Sequence, residues 1–162
     1  MPNWCENTLR VTGDPGSLGK FKKQAEGPNG HLDANKFIPY PEEFALLDSV
    51  AKDPLTSEET TRAVMMGLKG KDLTRDGYNQ GGYDWCIQNW GTKWNFSEIT
   101  IEEISSHILI YEFLTAWSPP EPLVIKMSQM FPSLKFELEY REEGVDFEGL
   151  LTAENGIYKT ET

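Results

Sequence analysis

The densest stretch of chemistry-bearing residues is Tyr83-Asp84-Trp85-Cys86-Ile87-Gln88-Asn89-Trp90-Gly91-Thr92-Lys93-Trp94-Asn95. Indole rings stack on flat ligands, and amides and an ammonium group can read a ligand's edge. The same residues suit anchoring in a pocket of a partner protein. Tyr83, Trp85, Asn89, Trp90, Lys93 and Trp94 are therefore the expected contact residues, with Gln88 and Asn95 beside them. The competing reading is structural. Indole is costly to leave in water, so these rings would staple their segment to the rest of the fold.

Other candidates are weaker. Gly13-Asp14-Pro15-Gly16-Ser17-Leu18-Gly19-Lys20-Phe21 follows a strand and opens a helix, as a phosphate-binding loop does. Its outer glycines are one residue too far apart, Phe21 stands where Mg²⁺ would need a hydroxyl, and Asp14 repels phosphate. A tight strand-to-helix turn accounts for it better. His31-Leu32-Asp33 offers two metal ligands with nothing nearby to complete a site, so no metal and no cofactor is expected. Glu112 lies in an apolar strand. If its face is covered, it is a buried carboxylate and a candidate general acid or base. The bland alternative is a satisfied hydrogen bond or an open face. No catalytic residue is assigned. Cys5 and Cys86 have no C-x-x-C context and read as buried thiols.

The chain has 162 residues and a net charge of −11, unevenly spread. Residues 1–97 carry 13 acids and 11 bases; residues 98–162 carry 13 acids and 4 bases. This balance argues against non-specific binding to nucleic acid or to an anionic membrane. No apolar run is long enough to span a bilayer, and the start lacks the basic flank and apolar core of a secretory signal. A cytoplasmic protein is expected.

The elements that must position these residues follow from periodicity. Leu9 and Val11 alternate with polar neighbours as a strand over 8–12. Asp14-Pro15 opens a helix with Leu18, Phe21 and Ala25 on one face. Residues 28–95 are irregular, with a helix expected near 57–68, a loop over 70–82 and a short helix over 83–89. They read as an insertion packed on the main fold of one domain spanning 1–162. Strands follow at 99–104 and 107–117. The second is apolar on both faces and is expected to be central and covered on both sides. Ser118-Pro119-Pro120-Glu121 reads as a helix cap, with Leu123, Val124, Met127, Met130 and Phe131 buried. Lys135–Arg141 alternates as a strand, and Asn155-Gly156 marks the turn of a final hairpin. The order β-α-β-β-α-β is the ferredoxin-like split pattern, an α+β fold, here with a long insertion after the first helix and an extra C-terminal hairpin.

Four elements carry a family resemblance: Met1-Pro2-Asn3-Trp4-Cys5-Glu6-Asn7, Phe37-Ile38-Pro39-Tyr40-Pro41-Glu42-Glu43, Trp90-Gly91-Thr92-Lys93-Trp94-Asn95 and Thr115-Ala116-Trp117-Ser118-Pro119-Pro120. In this order the chain resembles the YubB ferredoxin-like family of phage and plasmid proteins. The resemblance implies a ferredoxin-like fold and a mobile-element origin. It brings no reaction, cofactor or catalytic residue.

Two functional classes follow. The favoured one is a non-enzymatic binding protein that engages a host factor or a nucleotide-like ligand and modulates host defence. The alternative is an enzyme acting on a nucleotide or nucleic acid through a buried carboxylate. A self-assembling structural protein is a third reading, with strand pairing at the C-terminal hairpin making a homo-oligomer.

Overall fold

The computed structural model describes residues 3–50, 57–65 and 76–162. The chain clusters into two compact units, Met1–Pro39 with Ile87–Thr162, and Tyr40–Cys86.

The larger unit is built on a six-stranded sheet. Its strands are β1 (Trp4–Thr12), β2 (Ser97–Ser105), β3 (Ile108–Ala116), β4 (Lys135–Glu142), β5 (Phe147–Glu154) and β6 (Ile157–Glu161), in the order β2-β3-β1-β4-β5-β6. Every pairing is antiparallel. The first four strands, with α1 (Pro15–Ala25) between β1 and β2 and α5 (Glu121–Met130) between β3 and β4, make the ferredoxin-like core. The hairpin β5–β6 extends it beyond β4.

One face of this sheet carries the core. Leu9 and Val11 of β1, Leu109, Tyr111 and Phe113 of β3, and Phe136 and Leu138 of β4 are buried with Leu18 and Phe21 of α1 and Leu123, Val124 and Met127 of α5. Phe21 is its hub, with Phe37, Tyr111, Phe131 and Phe136 all packed on its ring at 5.3–6.0 Å. Among the described residues of the larger unit, no helix covers the opposite face: Ile108, Ile110 and Leu114 are only half-buried there and Glu112 is exposed, against the expectation that β3 is buried on both sides.

Local signals explain most boundaries. The Asp14 carboxylate accepts from the Ser17 amide as the N-cap of α1, and Pro15 takes the first helical position. Asn155 and Gly156 both have positive φ, +51° and +79°, as a type I′ turn demands. Strand β1 begins four residues earlier than alternation of apolar residues predicts, because buried Asn7 continues the inward row as a polar residue. Ser118 is not the cap of α5. Its hydroxyl donates to the Gly91 carbonyl, and the helix starts three residues later without a side-chain cap. Met130 is exposed, since it falls on the last turn, away from the sheet.

The smaller unit contains α2 (Glu42–Val50), α3 (Ser57–Met65), a kinked turn (Tyr78–Gly82) in which Gly81 has a φ of +134°, and the first part of α4 (Tyr83–Asn89). Helix α2 is absent from the sequence expectation. Pro41-Glu42-Glu43 is a helix start: Phe44 and Ala45 amides donate to the Pro41 carbonyl, and two acids occupy the first turn. The expected helix over 57–68 is seen through Met65, and the expected loop over 70–82 lies in part outside the described residues. Asp48 joins the unit's segments by accepting from the Tyr40 hydroxyl and the Tyr78 amide, both at 2.9 Å. Gly77 and Gly82 allow the close approach this needs. A Cβ on Gly77 would lie 2.3 Å from the Phe44 carbonyl oxygen, and one on Gly82 would lie 2.1 Å from the Tyr40 hydroxyl.

Candidate functional site

The six expected contact residues divide between the units. Tyr83 and Trp85 belong to Tyr40–Cys86, where Tyr83 lies edge-on to Tyr78 and Trp85 edge-on to Tyr40. Asn89, Trp90, Lys93 and Trp94 belong to the larger unit.

Within the larger unit the two tryptophans differ. Trp90 is 4 % exposed, and its indole N–H donates to the Ile38 carbonyl at 2.8 Å. That is the stapling role. Trp94 is 38 % exposed. Its ring lies 6.2 Å from that of Trp4 at an interplanar angle of 50°, and the Lys93 ammonium sits 4.5 Å from its centroid. Asn95 is committed internally. Its side-chain oxygen accepts from the Ala34 and Phe96 amides, and its amide group donates to the Asp33 carboxylate.

Trp4 lies at the start of β1, paired with Ala116 at the end of β3. The next residue, Trp117, is 47 % exposed and has a φ of +72°. A bulky aromatic residue in the left-handed region is strained by about 1–2 kcal/mol, so the surroundings must hold it there. They do so with hydrogen bonds. The Trp117 amide donates to the Asn3 carbonyl, Thr92 donates to Ala116 O, and Ser118 donates to Gly91 O. Beneath them, the Asn7 amide donates to Thr115 Oγ1, and Thr115 in turn donates to Ser118 O. Gly91 is required, because at φ +80° a Cβ would lie 2.5 Å from Pro122 Cδ. Three segments separated in the chain, 3–7, 91–95 and 115–119, are thus tied into one platform. It presents Trp4, Trp94 and Trp117 at one end of the sheet. Sequence reasoning missed Trp4 and Trp117 as site residues. Their signal was the pairing of β1 with β3, which periodicity alone does not reveal.

The carboxylate expectation changes hands. Glu112 is exposed on the sheet face opposite the core, between Thr8 of β1 and Thr100 of β2. The buried carboxylate is Glu142, 2 % exposed, which accepts from the Gly144 and Val145 amides at 2.6 and 2.9 Å. It closes the β4–β5 turn, a structural use that saturates much of its acceptor capacity. Asp33 is also buried and accepts from the Asn29 and Asn35 amides, while His31 is exposed, so the two do not share a site. Among the described residues, no group of three or more His, Cys, Asp or Glu is placed to hold a metal. Cys5 and Cys86 are free and buried, and burial is the main cause that pushes each thiol up to about 11. No described helix is long and apolar enough to cross a membrane.

No curated protein matches the chain significantly. A protein api92 from Yersinia pseudotuberculosis has a similar crystal structure, with a TM-score of 0.60 at 12 % identity over 100 % of this chain and 99 % of that one. At that identity the likeness shows the fold alone. Residues 89–161, from the end of α4 to β6, match the family model described as "Ferredoxin-like domain in Api92-like protein". The chain therefore has a ferredoxin-like fold and, over those residues, is similar to the ferredoxin-like domain of Api92-like proteins.

Proposed function

We propose that the protein is a binding module that docks a host protein through Trp94 and Trp117, with Trp4 and Lys93 supporting Trp94. One observation carries this reading: half-exposed tryptophans are held on a hydrogen-bonded platform that includes a strained backbone at Trp117. Exposed indole is the side chain most enriched at the energetic centre of protein interfaces.

Ring geometry supports a protein partner over a flat nucleotide-like ligand. Lys93 already lies over the Trp94 ring, and a tilt of 50° between Trp4 and Trp94 leaves no parallel slot for a base. Stacking would require displacing the ammonium from the ring. A protein pocket can accept the rings edge-first without that rearrangement.

The mobile-element origin and a role in modulating host defence rest on the resemblance of the four sequence elements to the YubB family. A cytoplasmic setting is part of the same proposal.

The test is capture from bacterial lysate on immobilised wild-type protein, followed by affinity measurement with the purified captured protein. Trp94→Ala and Trp117→Ala, each with an unchanged melting temperature, are expected to weaken that affinity at least tenfold (about 1.4 kcal/mol or more). A parallel thermal-shift and fluorescence panel of nucleotides and short oligonucleotides is expected to be silent. A selective shift with tryptophan quenching would replace the protein partner by a flat ligand.

A further inference from the structure

The two edges of the six-stranded sheet are not alike. The β2 edge is protected. Its pairing with β3 shifts register twice, Glu98 adopts a φ of +49°, and Glu98 and Glu102 place negative charge along it, while Glu103 is paired with Lys22. Bulges and charges are the usual devices that stop an edge strand from accepting another. Strand β6 has none of the backbone devices. It pairs with β5 in unbroken register from Ile157 to Glu161 and contains no proline. All five residues are exposed, Ile157 at 77 % and Tyr158 at 57 %. Its one cation, Lys159, lies 3.1 Å from Glu161, which cancels its charge. Among the described residues nothing pairs with the outer side of β6, which presents a row of backbone donors and acceptors that only an extended strand can satisfy in full.

We infer that this strand is β6 of a second copy, paired antiparallel about a two-fold axis through Thr160. Charge complementarity selects that partner and that register. Lys159 and Glu161 are two residues apart and share one face of the strand. An axis through Thr160 sets Lys159 of each copy opposite Glu161 of the other, making two opposite-charge pairs. An axis through Lys159 would set two ammonium groups against each other. The dimer continues the sheet from six strands to twelve, and its short overlap makes it a weak, reversible association.

Sedimentation equilibrium of the 18.4 kDa chain tests this. The expected result is concentration-dependent doubling of mass. Lys159→Glu and Glu161→Lys each turn both attractive pairs into repulsive ones and are expected to weaken dimerisation about tenfold. The double variant Lys159→Glu/Glu161→Lys restores the pairs and the dimer. A mixture of the two single variants associates more tightly than either alone. Both positions are exposed, and unchanged melting temperatures confirm that folding is intact. A chain that remains monomeric up to about 1 mM overturns the inference. So does a dimer indifferent to the single reversals, which would place the contact elsewhere.

Discussion

At the scale of single residues, the fold buries polar groups for contrasting reasons. Asn7 and Glu142 each make two hydrogen bonds, but the Tyr111 hydroxyl is buried without a hydrogen-bond partner among the described residues. An unsatisfied buried hydroxyl costs about 1–3 kcal/mol. Tyr111→Phe removes it while keeping the ring against Phe21, so the variant is expected to gain about 1 kcal/mol in chemical denaturation. Cys5 and Cys86 impose a pH signature. Their thiols lie near 11 in the folded chain against 9.0 for a free thiol. The unfolded chain ionises first, so their stabilising effect is complete below pH 9 and is lost as pH rises through 11. Denaturation midpoints measured from pH 8 to 11 should fall less steeply in Cys5→Ala than in the wild type. None of these roles shows in residue type. Glu112 and Glu142 are equally acidic in sequence, and only strand register decides which one is buried.

At the scale of elements, the platform under the tryptophans separates stability from binding. Glycine adopts the φ of Trp117 without strain, and a half-exposed indole contributes modest burial. Trp117→Gly is therefore expected to change folding stability by less than about 1 kcal/mol in either direction. The same change should abolish docking of the captured partner. Unfolding of this variant would instead make Trp117 a structural residue. The elements themselves were largely legible. Apolar alternation, the Asp14-Pro15 start and the Asn155-Gly156 turn each have a short-range cause, and the order of elements along the chain follows from them. Helix α2 was hidden because Pro41 breaks a preceding helix as readily as it begins a following one. Coverage of β3 was misjudged because Ile108, Ile110 and Leu114 look like core in sequence, yet share their face with Glu112, Glu6 and Arg10. The candidate site was half legible: Trp94 and Lys93 are local to the motif, while Trp4 and Trp117 reach it through sheet pairing.

At the scale of the whole molecule, the negative charge is concentrated in the strands that follow the first 97 residues. Carboxylates Glu6, Glu112, Glu139 and Glu148 lie on the sheet face opposite the core, and none has an ion pair among those described. Their mutual repulsion is screened by salt. Raising ionic strength from low to physiological should therefore raise the melting temperature. A fall would mean that the ion pairs present outweigh the repulsion. The hydrogen bond from Trp90 to Ile38 has a consequence for how such chains diversify. It fastens together the points where the chain leaves the sheet-bearing unit and where it returns. Whatever lies between them is closed off at its base, and the entropy of closing a loop grows only slowly with its length. Lengthening, shortening or exchanging residues 40–86 is therefore expected to leave the sheet of the larger unit folded. A chain carrying a short Gly/Ser bridge in their place should still fold around β1–β6, making this stretch a natural site for innovation.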